Sequence, residues 1–189
     1  NTHMVEAAYR AGAERYFFSS SACAYNTELQ KVPHVRALKE SDAYPAMAER
    51  GYGWEKLMSE MFCQEYWAER GMKTFMARFH NVYGPRMGTD HVIPRFCLQL
   101  KEQLDPVKVH DPEAVRAFCY VDDAVEAVVR LMHLPTDYNV VNIGNPLEPI
   151  SMWNLMDRLI VIVTREFDRE HTLIQVPVRH QEAPVRRRI

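Results

Sequence analysis

The stretch "MVEAAYRAGAERYFFSSS", residues 4–21, reads as a helix, a stop and a strand in succession. Its first part has the apolar spacing of a surface helix and closes at Gly12, a residue suited to leaving a helix in the left-handed conformation. "RYFFSSS" is then a strand that runs into a polar turn. A helix feeding a strand whose end carries three serines is the pattern of an α/β fold with a parallel sheet. Sites in such sheets gather beyond the carboxyl ends of the strands.

The rest of the chain continues the alternation. From Trp54 to about Arg70 the apolar residues Leu57, Met58, Met61, Phe62 and Tyr66 form a helical stripe that ends at Gly71. "KTFMARF" (73–79) reads as a buried strand, and "NVYGP" as turns where Gly84 and Pro85 end regular structure. A helix is expected over Ile93 to Lys101, and strands at "VKVH" and "AFCYV". Asp122 and Asp123 open a helix whose Val125, Val128, Val129 and Met132 repeat at helical spacing. "YNVVNIG" supplies another strand. Ser151 caps a last helix through Val163, with Ile150 and Leu155 at the spacing of a hydrophobic staple. No repeat or linker divides these pieces, so the expectation is one body with a smaller lobe from residue 84 onward.

Composition narrows the function classes. The chain has 189 residues, 47% of them hydrophobic and 25% charged, enough to bury a core. A net charge of -2 gives no long-range field for nucleic acid or an anionic membrane, and a small-molecule partner is expected. Cys23, Cys63, Cys97 and Cys119 form no C-x-x-C pair, and H-E-x-x-H is missing, so neither a disulfide framework nor a metal site is read. No apolar run approaches the roughly 18 residues of a spanning helix, and the start has no signal-peptide core. A cytoplasmic protein is expected. The tail "PVRRRI" has two readings, contact with phosphates or, for at least two of its three arginines, plain solvated charge.

The chemistry begins at "GYGWEKL", residues 51–57, where Tyr52 and Lys56 lie one helical turn apart on one face. A lysine ammonium so placed can stabilise a phenolate and draw a phenol's pKa down from about 10, which makes a general acid/base. Y-x-x-x-K also occurs on ordinary helices. Here the serines of "FFSSSACAY" stand where a strand emerges, so a hydroxyl there can share a hydrogen bond with the tyrosine oxygen or with a substrate oxygen.

Taken in order, "FFSSSACAY", "LKESDAYP", "GYGWEKL", "ARFHNVYGP", "RAFCYVDDAVEAVVRLM" and "VNIGNP" resemble the extended branch of the short-chain dehydrogenase/reductases, the NAD-dependent nucleotide-sugar epimerases and dehydratases. The resemblance runs through nearly the whole chain. "SSACAY" with "YGWEKL" looks most like the GDP-mannose 3,5-epimerase group, whereas "MGTDHVIPRF" departs from it, with Asp90 and His91 where that group has a lysine.

The resemblance implies a Rossmann-like parallel sheet with a small substrate-binding lobe. Residues 1–83 would form a partial NAD-binding region with the catalytic tyrosine and lysine. Residues 84–189 would be mainly the lobe, interleaved with the last Rossmann elements. It implies that Ser21 and Tyr52 handle the proton of a sugar C4 hydroxyl and that Lys56, with Tyr52 and Phe79, holds NAD. Cys23 matches a base that exchanges a carbon-bound proton, or else it is a small core residue. Asn81 and Arg116 match residues that bind the substrate's sugar and diphosphate, against plainer readings as a turn residue and a strand-end charge.

Family members also carry G-x-x-G-x-x-G after a first strand, where the backbone approaches a pyrophosphate. None of the seven glycines here forms that loop, so the chain is expected to correspond to the C-terminal part of such an enzyme. Its expected partners are a nucleotide-diphosphate sugar and either a second copy of the chain or the N-terminal half. Two other readings stay open: a dehydratase or decarboxylase of the same superfamily, and a binding or assembly module without catalysis. The first usually has an Asp-Glu pair in the serine turn, which "SACAY" does not.

Overall fold

A computed structural model describes residues 1–30, 37–102, 106–135, 139–167 and 173–176. The tail "PVRRRI" lies outside them. Thr2–Arg10 form α1, which stops at Ala11 with Gly12 at φ 76°. Arg15–Ser21 form β1, Tyr52–Arg70 form α2 and Lys73–Phe79 form β2. Gly71, at φ 70°, closes α2 by donating its N–H to the Trp67 carbonyl.

β1 and β2 pair in parallel, and β2 pairs in parallel with β7 (Val140–Ile143), giving the order β1-β2-β7. Their side chains alternate between two packed faces. Tyr16, Phe18, Met76 and Val140 pack with Val5 of α1 and Cys63 of α2. Phe17, Ala77, Phe79 and Ile143 pack with Ala124 and Val128 of α4 (Val121–His133). The result is a parallel sheet between helical layers, the Rossmann-like architecture expected.

A second core stands apart from that sheet. Phe96 and Leu100 of α3 (Val92–Lys101) pack with Val107 and Val109 of β4 (Val107–His110) and with Met152 and Met156 of α5 (Met152–Phe167). β4 pairs with β9 (Leu173–Val176), and β5 (Val115–Ala117) pairs antiparallel with β8 (Pro149–Ser151). Ser151 caps α5 as expected, its Oγ accepting the Asn154 N–H at 3.1 Å.

Several local readings are corrected. Met58 and Met61 are 49% and 44% exposed, so the inner face of α2 is not the apolar stripe. Its buried line is Gly53, Leu57, Glu60 and Cys63, with a glycine for close approach and a charge that is paired inside. On α4, Val125 and Val129 are exposed and Ala124 and Leu131 are buried. That helix has apolar residues on two faces, so periodicity does not choose the inner one. "AFCYV" is not one strand: it divides between β5 and β6 (Cys119–Tyr120), and Val121 already begins α4. Within "NVYGP", Val82–Tyr83 form β3, which pairs in parallel with β6. α5 runs a turn beyond Val163, to Phe167.

Candidate active site

The register aligns Ser21, Phe79 and Ile143 as the last residues of three neighbouring parallel strands. The candidate site lies at this edge. Ser21 is buried, and its Oγ accepts the Cys23 N–H at 3.2 Å, which starts the short 3₁₀ turn Ala22–Ala24. The Cys23 carbonyl accepts the Glu49 N–H at 3.1 Å, and the Glu49 carbonyl accepts the Trp54 N–H at 3.1 Å. These bonds dock the start of α2 on the serine turn, with Gly51 at φ 77° giving the chain its entry into the helix.

Tyr52 is the first residue of α2 and is 51% exposed. Lys56 is half-buried. Its Nζ donates to the Ser19 carbonyl at 2.8 Å and lies 4.9 Å from the Phe18 ring centre and 5.3 Å from that of Tyr52. An ammonium over two ring faces is held both by the carbonyl and by the rings' negative faces. Ser21, Cys23, Tyr52 and Lys56 therefore share one corner of the sheet.

The remaining expected residues lie around this corner. Phe79 packs edge-to-face on Phe17 and faces α4, on the side of the sheet away from Phe18. Asn81, at φ 45°, donates from Nδ2 to the Ala117 carbonyl at 3.1 Å and so ties the end of β2 to β5. Arg116 is half-buried on β5 and donates to the Val115 carbonyl at 3.1 Å. Near the ends of β2 and β7 a cavity of about 260 Å³ is lined by Leu38, His80, Ala117, Asn142, Gly144 and Asn145. Among the described residues no cluster of His, Cys, Asp or Glu could hold a metal ion.

Sequence reasoning missed Glu60 and Arg78. They form a buried, doubly hydrogen-bonded ion pair directly beneath this corner. Two signals were available: Glu60 continues the spacing of Tyr52 and Lys56 by one turn, and Arg78 is a charge inside the otherwise apolar run "TFMARF".

The sequence pattern of the NAD dependent epimerase/dehydratase family matches residues 1–144. GDP-mannose 3,5-epimerase 1 of Oryza sativa subsp. indica is 35% identical over 175 residues, 89% of this chain and 45% of the rice protein. The dTDP-D-glucose 4,6-dehydratase of Mus musculus is 29% identical over 164 residues, 86% of this chain and 44% of that protein. A UDP-glucose 4-epimerase of Thermotoga maritima, solved with UDP-glucose, superposes with a TM-score of 0.76 at 26% identity, over 97% of this chain and 56% of its own. The chain thus spans about half the length of the relatives it matches. With its parallel sheet, its Tyr52/Lys56 helix and the matched residues 1–144, the chain belongs to the NAD dependent epimerase/dehydratase family.

Proposed function

We propose that these residues form the catalytic part of a nucleotide-sugar epimerase similar to GDP-mannose 3,5-epimerase, with NAD as its cofactor and a nucleotide-diphosphate sugar as its substrate. The observation that carries the reading is the docking of α2 on the serine turn, which puts Tyr52 and Lys56 beside Ser21 and Cys23 at the carboxyl edge of the sheet. The 35% identity with the rice epimerase supports that choice over the dehydratase reading.

The residues present fit the nicotinamide end of NAD. Lys56 uses one ammonium proton on the Ser19 carbonyl and has others to donate to ribose hydroxyls, with the Tyr52 phenol beside it. Phe79 ends the neighbouring strand. The pyrophosphate end is not provided for within these residues, since no glycine loop of the family's kind occurs among the seven glycines. When bound, NAD would supply the hydride acceptor for the sugar carbon that carries the C4 hydroxyl.

The chain's own residues would move the protons. Tyr52 takes the C4 hydroxyl proton, with the Lys56 charge close by and the Ser21 hydroxyl in the same corner. Once C4 is a ketone, its neighbouring C–H bonds are acidic because the carbanion is delocalised into the carbonyl. Cys23 then exchanges the proton. Asn81 and Arg116 bind the sugar and the diphosphate from the side of β5. In this reading residues 1–83 are the partial Rossmann-like region. Residues 84–189 are mainly the substrate lobe, with α4 and β7 returned to the sheet.

The test uses protein expressed with any coding sequence that flanks these residues, incubated with NAD and GDP-mannose in deuterated buffer. Deuterium at the carbons next to C4 of the recovered sugar is the expected result. Conversion of dTDP-glucose to a 4-keto-6-deoxy sugar, without exchange in GDP-mannose, would replace this reading with the dehydratase.

A further inference from the structure

Ser20, Arg78 and Asn142 are register partners on β1, β2 and β7, so they form one polar row across the sheet, one residue before the row that ends at the site. Glu60, Glu40 and Tyr25 are all bonded to this row. Ser20 Oγ donates to Glu60 Oε1. Arg78 grips the same carboxylate with two donors, Nε to Oε1 at 2.9 Å and Nη2 to Oε2 at 2.6 Å. A third donor, Nη1, reaches the Glu40 carbonyl at 2.7 Å, and the guanidinium lies 4.7 Å from the Tyr25 ring centre. Tyr25 donates from its hydroxyl to Asn142 Oδ1 at 2.6 Å, and the Asn142 N–H donates to Glu40 Oε1 at 2.9 Å.

Glu60 and Arg78 are 1% and 2% exposed. Burial works against the charge of Arg78, but the hydrogen bonds and charge of Glu60 more than offset it and hold the guanidinium above its ordinary value. Taking two charges out of water is costly enough that an apolar pair of similar size is often as stable, so stability alone does not account for the arrangement. Its geometry does. Tyr52, Lys56 and Glu60 follow one another at four-residue steps on one face of α2. Lys56 is bonded to Ser19 and Glu60 to Ser20, two adjacent rungs between the helix and the serine strand.

We propose that Glu60, neutralised by Arg78 and bonded to Ser20, is a positioning residue that fixes where α2 lies along β1 and thereby sets Lys56 and Tyr52 against the serine turn. The pair acts through Lys56 rather than on a substrate. Its role at a catalytic site rests on the function proposed above, whereas the positioning is a property of the folded chain and is tested without turnover.

The experiment follows the NMR signal of Lys56 in protein whose lysines carry ¹³C-dimethyl groups, assigned by its loss in Lys56→Arg. Two variants are compared with the parent: Ser20→Ala, which removes one rung, and Glu60→Met/Arg78→Met, which replaces the ion pair with apolar side chains. In Ser20→Ala, and in the double variant if it folds, the chemical shift of the Lys56 signal moves toward those of the exposed lysines. Lys108, on β4, stays where it was. A purely structural role would lower the melting temperature and leave the folded Lys56 signal unchanged. An unmoved Lys56 in Ser20→Ala, or in a folded double variant, overturns the proposal. If the double variant does not fold, Ser20→Ala alone decides. Loss or absence of epimerase activity bears on the proposed function and leaves this result standing.

Discussion

Gly53 lies so close to Cys23 that a Cβ built on it would stand 2.2 Å from the Cys23 carbonyl oxygen. The atom it would meet is backbone, fixed by the hydrogen bond from the Glu49 N–H, so no side-chain rotation can relieve the contact. Gly53→Ala should therefore push α2 off the serine turn and cost about 1–3 kcal/mol, the usual range for an overpacked site. Thermal melting checks the loss. Unchanged melting with an unchanged Lys56 environment would mean that the close approach is not needed.

Tyr52 invites the opposite expectation. It is half-exposed, at the first position of its helix, so Tyr52→Phe should leave stability within about 0.5 kcal/mol of the parent. Turnover should fall about a hundredfold or more, the scale of losing a general acid/base. A variant that keeps its melting temperature and also keeps its rate would remove the phenol from the mechanism.

The sequence and the structure agree best where a signal is local. "RYFFSSS" and "KTFMARF" each carry a short apolar run beside turn residues, and they form neighbouring parallel strands. Lys56 was legible because its partner on the helix is four residues away. The pairing of Arg78 with Glu60 was not, since it depends on a helix and a strand meeting in three dimensions. The inner face of α2 was misread for a related reason: its buried line includes a glycine and a glutamate, which an apolar count passes over, while Met58 and Met61 point outward. "AFCYV" was split because Ala117 and Cys119 pair with different strands, Pro149 of β8 and Val82 of β3. That choice of partner is a tertiary property.

Tyr25 should shape the alkaline stability of the fold. Burial pushes its phenol up, more than the neighbouring Arg78 and the hydrogen bond with Asn142 pull it down. The folded pKa is therefore above the unfolded value of about 10, so the phenol's contribution is full below that pH and is lost as pH rises through the folded value. Melting temperatures between about pH 8 and 11 should decline for the parent, and less steeply for Tyr25→Phe. At neutral pH the same variant should lose about 1 kcal/mol with its bond to Asn142. Parallel declines for both proteins would show that Tyr25 does not control the alkaline limb.

Cys23 carries the sharpest prediction about chemistry. It is buried two residues after Ser21, in the turn that receives the start of α2, so it belongs to the same corner as Tyr52 and Lys56. In the proposed reaction, oxidation at C4 would need Tyr52 but not Cys23, whereas exchange at the neighbouring carbon would need a second base. Cys23→Ser, in protein that turns over, should abolish deuterium uptake at that carbon while the absorbance of reduced nicotinamide remains detectable. Its rivals for the exchange are Asp90 and His91, which stand immediately before α3. Mass spectrometry of sugar recovered from deuterated buffer separates them. Uptake lost in Cys23→Ser and kept in Asp90→Asn and His91→Gln assigns the proton to the thiol. Undiminished uptake in Cys23→Ser makes Cys23 a packing residue and moves the search to that loop.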